Sequence, residues 1–260
     1  MEPKAAIFAV FLFEVATFFE KKILDFSRCL SRYLTSVWYI IKSSFNGEHM
    51  IIIQDGVYEM YQYKDQEYEA VHFEGRDLRY GELISCVFKQ CTFMNASMEE
   101  IETSNCRFIE CDFKGASMNG SIHRESAFEN CLFGGANLFA SKFTSCKMTG
   151  SDFSGAQMDG ITLSQGDWSY TNLRHTRLGK QDLRGIRFFE ADFTDTDFTK
   201  ADLRDCDLTR SILSRAKLQG ADLRGANLEG IDLKSLDIKG VRLDREQAVL
   251  FVRSYGAKVD

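Results

Sequence analysis

The sequence predicts an all-β solenoid in which the chain turns a corner every five residues, and three observations carry that reading. From Phe73 to Leu243 every residue whose number ends in 3 or 8 is apolar except Thr103 and His123, a run of 35 positions. A small or compact side chain recurs two residues before these positions, as in Ala201-Asp202-Leu203-Arg204 and Ala226-Asn227-Leu228-Glu229-Gly230. The sole proline, Pro3, lies outside the run, as suits a backbone ladder that cannot lose donors. A period of five fits neither the 3.6 of a helix nor the 2 of a flat strand, so large side chains enter the core only if the chain bends once per repeat.

Residues 1–49 read as a separate helical extension. Ala5 to Phe19 is almost wholly apolar, broken by Glu14. Ile23, Leu24, Leu30, Leu34, Val37, Trp38 and Ile41 then follow a helical period opposite Lys21, Lys22, Arg28, Arg32 and Lys42. Two readings fit: a membrane-surface segment, its apolar run shorter than the ~20 residues needed to span, or a mis-called start with translation beginning at Met50. Residues 50–70 predict an N-terminal β cap, with Ile51 to Ile53 and Val57 to Tyr63 joined through Asp55-Gly56. Tyr58, Tyr63 and Tyr68 share the repeat numbering, but Gly56 and Gln66 support the register inconsistently, so the solenoid is placed at 71–243. Residues 244–260 predict a closing helix: Asp244 and Gln247 form a capping box, Ala248 to Val252 supply the apolar part, and Tyr255-Gly256 stops it.

Written as A(D/N)LXX, the repeat resembles the pentapeptide-repeat family, and the resemblance covers about two thirds of the chain. It implies a right-handed quadrilateral β-helix with four repeats per coil, the central residue and the small residue two before it pointing inward. At a strand spacing of ~4.8 Å, about nine coils make a rod of roughly 42 Å. Cys-x-Phe repeats such as Cys91-Thr92-Phe93 and Cys111-Asp112-Phe113, together with the closing helix, are similar to the quinolone-resistance branch. In that branch the closing region forms a two-fold dimer contact, which here would use Val249, Leu250, Phe251 and Tyr255; capping a lone rod end is the other reading.

Charge and cysteine usage narrow the function classes. A formal charge of −6 and a pI near 5.4 argue against direct binding to nucleic acid. The solenoid itself is closer to neutral, with 25 Asp and Glu against 22 Lys and Arg from 71 to 243. Seven of the eight cysteines occupy the inward small position in two columns modulo twenty: Cys86, Cys106, Cys146 and Cys206, then Cys91, Cys111 and Cys131. Buried thiols acting as small hydrophobes are favoured there over disulfides or a metal site, which points to a reduced, cytoplasmic protein; the alternative is a membrane-associated one, if residues 1–49 act as an anchor. No HExxH, CxxC, GxSxG or Gly-rich phosphate loop occurs, so no catalytic, cofactor or metal residue is assigned.

Two sets of outward residues stand out as partner-binding candidates. Asp182, Asp202 and Asp222 should stack beside a column of Arg184, Arg204 and Arg224, either as a solvated ion-pair face or as a recognition strip. The second set follows from Thr103 and His123, which lie twenty residues apart. Either the wall bulges there, exposing Glu99, Glu100, Glu102 and Arg124, or His123 sits inside, hydrogen-bonded to Thr103 or water. The resemblance implies a non-catalytic protein that copies the shape of duplex DNA and inhibits or protects a type II topoisomerase, DNA gyrase or topoisomerase IV, with fluoroquinolone tolerance as a consequence. The alternative is a structural or scaffolding rod, membrane-associated only through residues 1–49.

Overall fold

The computed structural model describes residues 43–45, 48–51 and 60–259. The apolar segment from Ala5 to Ile41 and the Asp55-Gly56 turn lie outside them. Backbone pairing runs parallel at twenty-residue intervals. Glu82–Ile84, Glu102–Ser104, Ile122–Arg124, Lys142–Thr144 and Thr162–Ser164 form one wall; Glu67–Glu69, Val87–Lys89, Arg107–Ile109 and Ala127–Glu129 form a second. Single bridges such as His72 to Thr92 and Asp77 to Ser97 mark the other two. Four five-residue walls therefore make one coil. The series from the Gln62–Glu82 pair to the Asp222–Arg242 pair counts about nine coils.

The corner is made the same way each time. Every residue numbered by a multiple of five from Asp65 to Gly230 has a positive φ, between +49° and +75°, and 23 of these 34 corners carry a side chain. Left-handed backbone costs an L-residue ~1–2 kcal/mol, so the ladder and core must hold these corners against their local preference. The Asp or Asn before the central residue helps. Its side-chain oxygen accepts the amide two residues on, as in Lys114 N to Asp112 Oδ1 (2.9 Å), Ser154 N to Asp152 Oδ1 (2.8 Å) and Phe139 N to Asn137 Oδ1 (3.1 Å). This is an Asx turn, and it gives the D/N of the repeat a structural cause.

Inside, large side chains stack coil on coil. Phe73, Phe93, Phe113, Phe133 and Phe153 form one column with successive ring centroids 4.6–5.0 Å apart. Tyr68, Phe88, Phe108 and Phe128 form another, at 4.6–5.1 Å. The seven cysteines among the described residues are free and buried. Six of the thiols, from Cys91 to Cys206, donate to carbonyls of the preceding coil, as Cys106 does to Leu83 O at 3.2 Å and Cys206 to Leu183 O at 3.0 Å, and Cys86 donates to Ile84 O of its own coil.

Both ends depart from the predicted boundaries. Strand β1 (Ser43–Phe45) pairs antiparallel with β2 (Glu48–Ile51), so this part of the expected helical extension is sheet. β2 pairs antiparallel with β3 (Met60–Lys64), and β3 runs parallel to Glu82–Ile84. Tyr63 is buried and Tyr68 stacks on Phe88, so the coil register begins before residue 71. The end coil has a coil on one side only, which relaxes the demand for a small residue before each centre. At the other end Leu233–Ser235 is a 3-10 turn, and Ile238, expected inward, is 38% exposed because no further coil covers it. Helix α1 (Arg245–Ser254) has the predicted capping box. Its Gln247 does more: Nε2 donates to Leu223 O and to Ala226 O (2.9 Å), carbonyls of the last regular coil.

Thr103 and His123 remain inside, and the wall does not bulge. Thr103 pairs in register with His123 and His123 with Phe143, and both are fully buried. His123 Nδ1 meets Thr103 Oγ1 at 2.8 Å and Nε2 meets Ser121 Oγ at 2.9 Å. From Thr103 the chain continues to Ser126 Oγ (3.1 Å) and Arg124 O (2.9 Å); from Ser121 it continues to Ser141 Oγ (3.1 Å) and Met118 O (2.7 Å). These are six contacts. With His123 neutral, four hydroxyls and one imidazole supply five hydrogens, so each tautomer leaves one oxygen–oxygen contact without a proton. Burial nevertheless pushes the imidazole down to about 3, which keeps it neutral at physiological pH.

Candidate functional site

Glu102 and Arg124 of the upper predicted set share a wall with the lower set, Asp182, Asp202 and Asp222, while Glu99 and Glu100 lie on the wall and corner before it. Glu82, Glu102, Asp182, Asp202 and Asp222 occupy the same position of successive coils, with Ile122, Lys142 and Thr162 between the upper and lower sets. About four coils, or ~19 Å, separate Glu102 from Asp182.

In the lower set each carboxylate is gripped by its own repeat. Arg184 donates to Asp182 at 2.8 and 2.6 Å, Arg204 to Asp202 at 2.9 and 2.7 Å, and Arg224 to Asp222 at 2.8 and 2.6 Å. Each pair is bidentate, the fork matching the two carboxylate oxygens. Longer contacts link the repeats into a ladder: Arg184 to Asp202 (3.7 Å), Arg204 to Asp222 (4.0 Å) and Arg242 to Asp222 (3.4 Å). Exposure falls down the column, with the Asp182, Asp202 and Asp222 side chains 60%, 29% and 12% exposed. The hydrogen bonds from Arg224 hold the Asp222 carboxyl down at about 2. A basic partner therefore meets a row of closed ion pairs. The structure brings the predicted Asp and Arg columns together and leaves that strip close to neutral.

The upper set is more open. Glu102 pairs with Arg124 at 2.8 Å, both about half exposed. Glu100 occupies a left-handed corner (φ 55°), and Glu99 buries an oxygen, Oε2, that accepts no hydrogen bond. These residues reach solvent by ordinary outward placement. On α1, Phe251 is 6% exposed and packs within its own chain, so it is not available for a second protomer. Leu250, Val252 and Tyr255 are exposed, at 42%, 48% and 69%. The sequence reading passed over Phe139 (56% exposed) and Tyr170 (53%), bulky apolar residues at outward positions. A filter for large side chains away from the 3/8 positions would have found them. Tyr170 meets Phe189 edge-on at 5.5 Å, and the Arg187 guanidinium lies 5.4 Å from that ring.

Among the described residues no three His, Cys, Asp or Glu side chains are placed to hold a metal ion, and no helix is long and apolar enough to cross a membrane. The twenty-residue coil and the A(D/N)LXX corner accord with sequence comparison: residues 136–213 match the pentapeptide repeat region family, and 211–245 match pentapeptide repeats (8 copies). Residues 136–245 are pentapeptide repeats. The fold of the chain is similar to solved structures of QnrB1, a plasmid-mediated fluoroquinolone resistance protein. Two trypsin-treated variants align at 22% and 21% identity with TM-scores of 0.67 and 0.69, covering 76% of this chain and 99% and 100% of theirs. Full-length QnrB1 aligns at 20% identity with a TM-score of 0.55, covering 75% of this chain and 100% of its own. No curated protein matches the chain by sequence. At this identity the likeness is one of fold.

Proposed function

We propose that this pentapeptide-repeat protein is a non-catalytic binder of a type II DNA topoisomerase, gyrase or topoisomerase IV, that takes the place of duplex DNA on the enzyme and confers fluoroquinolone tolerance. The observation that carries the proposal is the rod itself, which matches QnrB1 over three quarters of this chain and the whole of that one. Shape contributes more than charge. DNA carries a charge every ~1.7 Å of axis, whereas a coil advances ~4.8 Å and the lower carboxylates are already paired with arginines. Glu100 is then the open contact and Glu102 stands half exposed beside Arg124, while Asp182, Asp202 and Asp222 meet basic side chains by exchanging their own arginines.

A supercoiling assay with purified chain and gyrase, with and without a fluoroquinolone, tests this reading. Inhibition of supercoiling or rescue from the drug at micromolar protein is expected. No effect at tens of micromolar on gyrase or topoisomerase IV, and no tolerance on expression, refutes it. Replacing Asp182, Asp202 and Asp222 together by Asn keeps each Asx turn and removes the charge. Inhibition that falls in this variant, with an unchanged fold by circular dichroism, assigns the lower column to the interface.

A further inference from the structure

In regular coils each central residue donates its amide to the carbonyl nineteen positions on, as Phe113 does to Leu132 (2.8 Å). The corner residue does likewise, as Gly115 does to Gly134 (3.1 Å), and the residue before the centre donates back, as Asp112 does to Cys91 (3.0 Å). Between residues 156–165 and 176–185 this lacing stops on two adjoining walls. Among the described residues, the amides of Met158, Gly160, Leu163, Gln165, Arg177 and Asp182 find no backbone acceptor across this gap. Bridges join 137 to 157 and 142 to 162 before it, and 177 to 197 and 182 to 202 after it, but none joins 157 to 177 or 162 to 182. The other two walls stay closed, with Trp168 N to Arg187 O at 2.7 Å and Leu173 N to Asp192 O at 2.8 Å. Among described side chains one ion pair spans the gap, Arg177 to Asp159 at 3.6 Å, and both partners are mostly exposed.

The core changes at the same place. The stacked phenylalanine column ends at Phe153, and the next residue in it is Leu173. Trp168 is the central residue of the wall opposite 176–180, in a column otherwise occupied by Tyr68, Phe88, Phe108, Phe128, Met148, Phe188, Leu208 and Leu228. Its indole is fully buried 5.8 Å from Phe143 and 5.3 Å from Phe153, and its Nε1 has no acceptor. Two residues earlier, Gly166 fills the small position at φ +104°, where a Cβ would lie 2.2 Å from Cys146 O. The coil is crowded against its predecessor at Gly166 and wedged by the largest ring in the core, while the following coil stands off on the far side.

We propose that this seam is a joint. Two stiff segments, one ending near residue 155 and the other resuming near 185, flex by opening and closing the two unlaced walls, with Trp168 as the wedge. The joint lies between Glu102 and Asp202, with Asp182 at its lower edge, so flexing changes the angle between the upper and lower acidic sets. That lets one rod fit a partner surface whose contact regions are not collinear, whatever the partner's identity.

Amide exchange on the full chain tests it. Met158, Gly160, Leu163, Gln165, Arg177 and Asp182 should exchange at least tenfold faster than the equivalent amides one coil earlier, Leu138, Ala140, Phe143, Ser145, Gln157 and Thr162. Equal protection overturns the joint. Trp168→Phe, which places the common residue of that column at the wedge, should restore protection at least tenfold; unchanged exchange in a folded Trp168→Phe protein overturns the role of the indole. Spin labels on Gln90→Cys and Arg210→Cys, with Cys29→Ser, sit on one corner column six coils, or ~29 Å, apart. Their distance distribution should be broader in the wild-type background than with Trp168→Phe, and equal widths refute flexing.

Discussion

Replacing His123 by Phe should leave the rod nearly as stable at pH 7 and make it markedly more resistant to acid. The first half follows from counting hydrogens. Without the imidazole, Thr103 donates to Ser126 and Ser126 to Arg124 O, while Ser121 donates to Ser141 and Ser141 to Met118 O, so every hydroxyl keeps an acceptor. The new ring takes a place that already stacks on Phe143, 4.5 Å between centroids. A change within about 1 kcal/mol is expected, because a polar group and its demand for partners leave together. The second half is linkage. The folded imidazole is held down at about 3, against ~6.5 when unfolded, so the unfolded chain binds the extra proton between those values. The stability of the neutral, buried ring is therefore complete above pH ~6.5 and drains away as pH falls toward 3. The loss is about 3 kcal/mol at pH 4 and about 5 at its limit. Urea unfolding of both proteins at pH 7 and pH 4 isolates the effect, since every other titrating group is common to the two. A difference between the proteins that is the same at both pH values would show that the chain of hydroxyls holds an imidazolium as readily as an imidazole, and would refute burial as the dominant cause.

Three further outcomes are expected. Leu203→Asp, which buries an unpaired carboxylate at a position 1% exposed, should cost several kcal/mol, whereas Arg204→Ala should cost ~1 kcal/mol or less because its ion pair is partly exposed; equal melting temperatures would refute the inward assignment. Gln247→Ala strands the carbonyl of Ala226, leaves Leu223 O with the Ala226 amide alone and opens the capping box, so a loss of about 2–3 kcal/mol with faster amide exchange in α1 is expected, and an unchanged melt would show that the helix adds nothing to the rod end. If α1 joins two rods it does so through Leu250, Val252 and Tyr255, so Leu250→Arg should halve the mass seen by light scattering; a wild type already monomeric at micromolar concentration removes the dimer.

From Phe73 to Leu233 the five-residue period determined by itself which residues enter the core, because every coil repeats the same local bend and a side chain two positions from a corner has only one way to face. It likewise placed the cysteines inside and α1 at the end, where Asp244 and Gln247 lie three residues apart and cap locally. What tertiary structure alone decided concerns neighbours twenty residues away. His123 stays inside because Thr103, Ser126 and Ser141 come from three different coils, and no pattern along the chain states that their hydroxyls will line up. Whether Asp182, Asp202 and Asp222 form an ion-pair face or an open acidic strip was decided in space, where each following arginine folds back onto its own carboxylate and Arg184 and Arg204 also reach the carboxylate of the next coil. Phe251 could serve either a second rod or its own rod end by sequence, and the rod end beneath it claims it. The unlaced walls beside Trp168 are invisible in an unbroken register, because a ladder opens where a ring is too large for its coil, and the register counts residues without measuring their volume.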